Sequence, residues 1–230
     1  EIKLEQSKIW EFFQNDSNGV AIAFQDNARY QYIASKITDG MNILNIGVGR
    51  GGLEKILVSK NIKIYSLDPS ENSINFIKDE FNLGDNAKVG FSQEIPFKND
   101  QFDIVIMSEV LEHLSNEVLL ETIKECHRVL RSGGRFIGTV PADEALNSSL
   151  VVCPGCDNKF HRWGHVQSFS KTRLDDILNT KFSKVIIKRE FFGNWTSLNW
   201  KGRMLFLVKK ITVLMGFNGS GENYFFSAIK

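Results

Sequence analysis

A surplus of charge of one sign is the first thing this sequence lacks. Its 28 lysines and arginines stand against 27 aspartates and glutamates, a formal net charge of +1. So even a balance gives no field that would gather nucleic acid or an anionic membrane, and no nucleic-acid partner is expected. Long apolar runs are missing too: none reaches the roughly 18 uninterrupted residues that a bilayer span needs. Cysteine is scarce. Cys126, Cys153 and Cys156 are too few for a secreted disulfide framework, and the C-x-x-C spacing of the last two suggests metal or redox use. No internal repeat or low-complexity tract is visible. The opening Glu1–Gln6 is polar and carries no signal-peptide pattern, so a cytoplasmic location is expected. A length of 230 residues suits one domain with a full core and room for an insertion.

What is present is organised around Ile43–Gly52, Ile-Leu-Asn-Ile-Gly-Val-Gly-Arg-Gly-Gly. A short apolar strand runs into glycines, and Leu53–Val58 then reads as a helix. Glycines permit a tight backbone turn and close approach of a ligand, and a helix start offers unpaired N–H groups. A polar or anionic cofactor fits such a turn. Gly47, Gly49 and Gly52 fit G-x-G-x-x-G, the dinucleotide fingerprint. Gly47, Gly49 and Gly51 equally fit G-x-G-x-G, the pattern of S-adenosylmethionine (SAM) methyltransferases. The next strand, Ile62–Leu67, ends at Asp68, whose carboxylate can accept both hydroxyls of a ribose. Both cofactors contain one.

Along the chain, residues 1–39 read as two helical pieces, one around Ile9–Phe13 and one over Asp26–Thr38. They serve as a packing arm, a ligand lid, or both. From Met41 the pattern alternates strand and helix. Ser70 caps a helix to about Phe81, Lys88–Phe91 is a short strand, and Phe102–Met107 is a nearly continuous apolar strand. Ser115 caps a helix to about Leu130, ended by Ser132–Gly134, and Arg135–Val140 is the fifth strand. Such alternation predicts an α/β fold with a parallel sheet, helices on both faces and right-handed crossovers. Its ligands sit at the carboxyl ends of the strands, where Gly47–Gly52, Asp68, Ser92 and Glu109 fall.

Gln93–Phe97, Phe102–Val105, Val110–Leu114 and Arg128–Gly134, in that order behind the glycine stretch, resemble the class I SAM-dependent methyltransferases. The nearest subgroup is the small-molecule kind called methyltransferase type 11. The resemblance covers about residues 41–141. It implies a Rossmann-like, seven-stranded, mostly parallel sheet with an antiparallel last strand. Glu222–Ile229 suits that strand, paired with Lys184–Phe192. It also implies roles: Asn45 at the methionine amino group, Gly47, Gly49 and Gly51 under the methionine and ribose, and Asp68 on the ribose. Pro69, Ser92 and Gln93 would lie around the adenine, and Ser108 and Glu109 would line the methionine and the methyl. Two positions depart from the family. Asn45 and Phe91 stand where many members have aspartate.

Beyond the fifth strand, Cys153, Cys156, His161 and His165 have the spacing C-x2-C-x4-H-x3-H. Four such ligands suit a closed, structural tetrahedral zinc. A metal-free loop presenting His161 or His165 to substrate competes with that reading, as does a redox pair. His113, His161 and His165 are the candidate bases for an acceptor hydroxyl, with Glu109 beside them. The bland reading of Glu112 and His113 is that they cap or pack the following helix. Cys126 lies in a helical pattern and reads as buried.

The domain proper is thus expected at residues 40–230, with a Cys/His insertion at 142–169 and an apolar, basic helical insertion at 193–222. Residues 198–217 read as a core or dimerisation helix, or as a peripheral membrane contact. The expected activity is methyl transfer from SAM to a small-molecule, sugar or lipid-linked acceptor. A non-catalytic SAM-binding module and a dinucleotide oxidoreductase are the alternatives.

Overall fold

The computed structural model describes residues 27–193, 195, 198–215, 219 and 221–230. The first expected N-terminal piece, around Ile9–Phe13, lies outside these residues. The second is helix α1, Asn27–Ala34, followed by a turn that buries Ile37. The chain then runs through β1 (Asn42–Ile46), α2 (Gly52–Leu57), β2 (Lys63–Asp68), α3 (Glu71–Phe81), β3 (Ala87–Val89) and β4 (Phe102–Ser108). Next come α4 (Asn116–Val129), β5 (Leu130–Pro141), β6 (Leu150–Val152), β7 (Lys159–His161) and α5 (Lys171–Asn179). Strand β8 (Lys184–Glu190), α6 (Trp200–Leu214) and β9 (Asn223–Ile229) close it.

Seven strands form one sheet in the order β3-β2-β1-β4-β5-β9-β8. The first five are parallel. Strand β9 runs antiparallel to both β5 and β8, as expected for Glu222–Ile229 and Lys184–Phe192. The chain leaves β1 toward one edge and returns through β4 toward the other. The loops after β1 and β4 therefore diverge, and this is where a parallel sheet opens its crevice.

Alternation along the strands explains the two buried faces. Leu44, Ile46, Val105 and Met107 pack with Leu119, Ile123 and Cys126 of α4 and with Leu174 and Leu178 of α5. Ile43, Ile104 and Ile106 face the other way, onto Ile33 of α1 and Leu53 and Leu57 of α2. The expected serine caps are in place, Ser70 and Ser115 accepting from the main-chain N–H of Ser73 and Val118, and Ser170 accepts likewise from Arg173 at the start of α5. Each satisfies one donor left over at its helix start. Cys126 is fully buried, which pushes its thiol well above the ordinary range.

The end of α4 differs from the sequence reading. Leu130 already pairs with Phe102, and the register then jumps so that Arg135 faces Ile104. Ser132–Gly134 is a bulge inside one long strand and not a helix-ending turn. Gly133 takes φ 73° there, a conformation closed to most side chains.

Two of the resembling stretches prove to be one structural unit. Arg128 donates to the carbonyls of Ile95 at 2.8 Å and Phe97 at 3.0 Å. Its Nε meets Glu125 Oε1 at 2.7 Å, while Glu125 Oε2 accepts the Ile95 N–H at 2.9 Å. The guanidinium fork thereby pins the β3–β4 connection to α4.

The insertion at 142–169 is a small β6–β7 hairpin outside the main sheet, closed at its base by an Ala142–Phe169 bridge. The insertion at 193–222 contains α6. Among the described residues, no helix is long and apolar enough to cross a membrane.

Candidate active site

The residues expected to hold the cofactor lie at the carboxyl ends of β1, β2, β3 and β4 or on the loops that follow them. The bend itself is held by main chain. Gly47 N donates to Leu67 O at 2.9 Å and Gly51 N to Val48 O at 2.9 Å. Gly49 and Gly51 both have positive φ, 52° and 70°. Their surroundings differ. A Cβ on Gly51 would meet Phe81 at 2.6 Å and Ile77 at 2.9 Å, whereas a Cβ on Gly49 would meet nothing within 4 Å. Gly51 is a packing glycine, and Gly49 faces open space where a ligand can approach the backbone. Helix α2 has six residues, so exposed N–H donors matter here more than any macrodipole.

Asp68 is buried beside the bend. Its Oδ2 accepts Val48 N–H at 2.9 Å and its Oδ1 accepts Ser70 N–H at 2.8 Å. Burial pushes this carboxyl above its ordinary range, against main-chain donors at Ser70, Val48 and Gly49. Three donors leave one of the carboxylate's four lone-pair sites for a hydroxyl. Asp68 thus shapes the glycine loop.

Asn45 does something the sequence did not suggest. Its Nδ2 donates to Glu54 Oε1 at 2.7 Å, and Ser66 Oγ donates to the same oxygen at 2.9 Å. Glu54 is fully buried, with Oε2 lacking a hydrogen-bond partner. An aspartate at position 45 would set two carboxylates against each other beneath the loop.

The remaining cofactor positions are mixed. Pro69 is exposed at the end of β2, and Gln93 is half-buried on the turn after β3. Phe91 is 60% exposed, an apolar surface beside that turn. Ser92 turns inward instead, its hydroxyl 2.8 Å from Thr122 Oγ1 on α4. Ser108 likewise pairs with Thr139 at 2.9 Å. Glu109 lies just past β4 with φ 57°, and conformations this uncommon for a non-glycine residue concentrate at functional sites. Asn223 Nδ2 bridges both its carboxylate oxygens at 3.0 Å, and Arg29 on α1 approaches at 3.9 Å.

Behind Glu109 lies a histidine cluster. His113, on a short 3-10 turn, puts Nδ1 3.1 Å from Gly164 O. His165 Nδ1 is 2.5 Å from Glu144 Oε2. His161 Nδ1 accepts the N–H groups of Trp163 at 3.4 Å and His165 at 3.2 Å. The rings of His113 and His165 lie 4.7 Å apart, and those of His161 and His165 stack at 4.6 Å. Glu112 is 1% exposed, and neither of its carboxylate oxygens has a hydrogen-bond partner. Burial, then the Glu109 charge, pushes its carboxyl well above the usual range. Burial, followed by His165, lowers His113 to about 3. A base held that low takes no proton near neutrality. The pair does not cap α4, which Ser115 does. Instead the Glu112 carbonyl accepts Val166 N–H and Gln167 N–H.

The four-ligand zinc set is not assembled, and that expectation is corrected. Cys153 and Cys156 occupy the tip of the β6–β7 hairpin, with Cys153 N–H bonded to Asn158 O. His161 lies at the other end, opposite Leu150. Three residue pairs of strand, about 10 Å, separate tip from base. The cysteines stay half-buried and exposed, while both histidines face Glu144. Among the described residues, the compact groups of metal-binding side chains are Glu112–His113–His165 and Glu144–His161–His165, without a cysteine. The sequence reading missed Glu144, Glu54 and Asn223. Each contact spans a sequence separation that no local pattern encodes.

The model of a methyltransferase domain family matches residues 44–138. A probable S-adenosylmethionine-dependent methyltransferase of Mycolicibacterium smegmatis is 25% identical over 151 residues, covering 66% of this chain and 54% of that protein. A ubiquinone biosynthesis O-methyltransferase of Agrobacterium fabrum is 26% identical over 134 residues, covering 56% and 52%. A SAM-dependent methyltransferase from Archaeoglobus fulgidus superposes with a TM-score of 0.66 at 20% identity, covering 97% of this chain and 99% of that one. Residues 44–138 thus match a methyltransferase domain, and the described fold is that of the class I SAM-dependent methyltransferases. The chain spans about half the length of several of the curated relatives it matches.

Proposed function

We propose that the protein transfers a methyl group from SAM to a small-molecule, sugar or lipid-linked acceptor. The observation that carries this reading is Gly49: an open, positive-φ backbone position at the switch point, beside a buried carboxylate that organises the same loop. That cradle fits SAM. Gly47, Gly49 and Gly51 would carry its methionine and ribose, Asp68 its hydroxyls, and Gln93 with Phe91 its adenine. SAM would supply an activated methyl on a sulfonium. Once the activated group comes with the cofactor, the protein's own work is to position the acceptor and exclude water. Glu109, fixed by Asn223, supplies a directed acceptor of hydrogen bonds at the rim.

Helix α6 favours the lipid-linked form of acceptor. It exposes Trp200, Met204, Leu205, Leu207, Val208 and Ile211, and its cations Lys201, Arg203, Lys209 and Lys210 have no acid among them. A basic, apolar helix of this kind suits an anionic lipid surface. Alongside lies a cavity of about 280 Å³ lined by Tyr32, Glu190, Phe192, Trp195 and Phe206.

Calorimetric titration with SAM and S-adenosylhomocysteine tests the central reading. Micromolar binding is expected for the wild type, weakened roughly tenfold or more in Asp68→Ala, which is about 1.4 kcal/mol. No heat at millimolar SAM would overturn it.

A further inference from the structure

The C-x-x-C pair lies outside the strand ends that carry the cofactor positions, and the β6–β7 hairpin presents it as one unit. Its tip is a turn tied by main chain. Cys153 N–H donates to Asn158 O at 2.9 Å, and Asp157 N–H donates to Cys153 O at 2.9 Å. Asp157 takes a left-handed conformation there, φ 55°. The turn folds residues 154–156 back over the first cysteine. Main-chain N–H groups of Gly155 and Cys156 donate to Cys153 Sγ, and the Cys156 thiol donates to the same atom. Beyond its own chain neighbours, a Cβ on Gly155 would meet only that sulfur, at 4.0 Å. Pro154 and Gly155 are both exposed, so solvent reaches the turn.

Three donors on one sulfur favour its anion. They hold the Cys153 thiol below its ordinary range, the Gly155 N–H foremost. Cys126 shows the opposite case in the same chain. It is fully buried, with Sγ 3.9 Å from Met107 Sδ, and burial pushes its thiol well up. At the hairpin tip Cys153 is half-buried and Cys156 exposed. A tetrahedral metal held there would need further ligands, and among the described residues no compact group of three metal-binding side chains includes a cysteine. Two touching, accessible sulfurs, one of them supported as a thiolate, have another chemistry: thiol–disulfide exchange.

We propose that Cys153 and Cys156 form a reversible dithiol–disulfide site that exchanges with low-molecular-weight disulfides. The Cys153 thiolate attacks one sulfur of R–S–S–R. That bond breaks, a mixed disulfide forms on Cys153, and one RS⁻ leaves. Cys156 then gives up its proton and attacks Cys153 Sγ, which closes the internal S–S bond and releases the second RS⁻. The leaving thiolates take up the two protons that the cysteines lost. Two protein thiols are oxidised by two electrons, and one small disulfide is reduced to two RSH. The sulfurs already share a hydrogen bond, so closure asks only for approach to about 2.05 Å, within a turn whose intervening residues are exposed. Nothing in this site depends on the proposed methyl transfer.

The test uses the full chain, reduced, freed of reductant and equilibrated at pH 7 with mixtures of reduced and oxidised glutathione, then quenched by alkylation. Intact-mass spectrometry should show one internal disulfide: loss of two hydrogens and of two alkylation sites. It should appear in a single transition with the glutathione ratio and be reversed by excess thiol. Cys156→Ser should stop at a stable glutathione adduct on Cys153. Iodoacetamide at pH 7 should label Cys153 in that variant roughly threefold or more faster than it labels Cys156 in Cys153→Ser. Cys126 should stay unlabelled until the chain is unfolded. Circular dichroism of the two variants checks that they fold, and the wild-type redox titration reads the site without any substitution. Adducts on both cysteines without the internal bond overturn the proposal, as does a chain that stays reduced in pure oxidised glutathione. So does zinc carried through purification whose removal by chelator is what exposes the two thiols.

Discussion

Asn45 Nδ2 donates to Glu54 Oε1 at 2.7 Å under the glycine bend. The departure from aspartate at position 45 therefore has a structural partner: the buried acid has moved to α2, and the amide serves it. Burial pushes Glu54 above the usual carboxylate range, with Asn45 and Ser66 opposing in part. A folded pKa above the unfolded one gives stability that is present below the unfolded pKa and lost as pH rises through the folded one. Glu54→Gln removes that loss and keeps an oxygen for both donors. Urea unfolding should show the variant close to wild type near pH 4 and more stable than wild type at pH 8, the gap widening as pH rises. A gap that does not widen with pH would contradict this account.

The contrast between Gly49 and Gly51 gives a second prediction. Alanine at Gly49 meets no neighbour, so its cost is the left-handed backbone alone, about 1–2 kcal/mol. Its methyl enters the cofactor cradle, and SAM affinity should fall roughly tenfold or more, ~1.4 kcal/mol. Alanine at Gly51 collides with Phe81 and Ile77 and should cost about 2–5 kcal/mol of stability. Melting and SAM titration of the two variants separate the effects. Unchanged SAM binding in a folded Gly49→Ala would place the cofactor elsewhere.

Arg128 yields a third. Its fork holds the carbonyls of Ile95 and Phe97 and pairs with Glu125. Arg128→Ala leaves those acceptors without their charged donor and should destabilise by roughly 2–3 kcal/mol. Arg128→Lys should recover less than half, because a point charge cannot span both carbonyls. Full recovery by lysine would show that charge and not fork geometry matters.

How much was legible follows from what each feature depends on. Short apolar runs and serine caps are local, so β1, β2, β4 and the starts of α3 and α4 could be read directly. The antiparallel β9 came through family likeness, since its register against β5 and β8 is non-local. The zinc expectation went wrong for a geometric reason. Spacing counts residues along the chain, but the hairpin sends Cys153 to its tip and His161 to its base. The true neighbours of His165, Glu144 and His113, lie 21 and 52 residues away in sequence, the first a carboxylate partner 2.5 Å distant and the second a ring at 4.7 Å.

The last prediction concerns α6. Leu205 is 70% exposed and Val208 55%, so neither is held in the core. Both stand on a helix with four cations and no acid. The overall net charge of +1 gives no general attraction to anionic surfaces, so any such attraction must be local to this helix. Near an anionic bilayer each cation contributes about 1 kcal/mol, and the apolar side chains add to it by leaving water. Lys209 sits closest to a ring, 4.1 Å above Phe191, whereas Lys201, Arg203 and Lys210 lie 5.5–5.6 Å from Trp200, Trp195 and Phe206 and keep more of their charge for the surface. Flotation should therefore recover the protein with phosphatidylserine-rich vesicles and not with phosphatidylcholine vesicles, and 0.5 M salt should release much of it. Leu205→Asp/Val208→Asp should abolish flotation while leaving the melting temperature and SAM affinity unchanged. If the same variant instead converts a dimer to a monomer, and the wild type ignores vesicles, α6 is a self-association face and the acceptor reaches the site from solution.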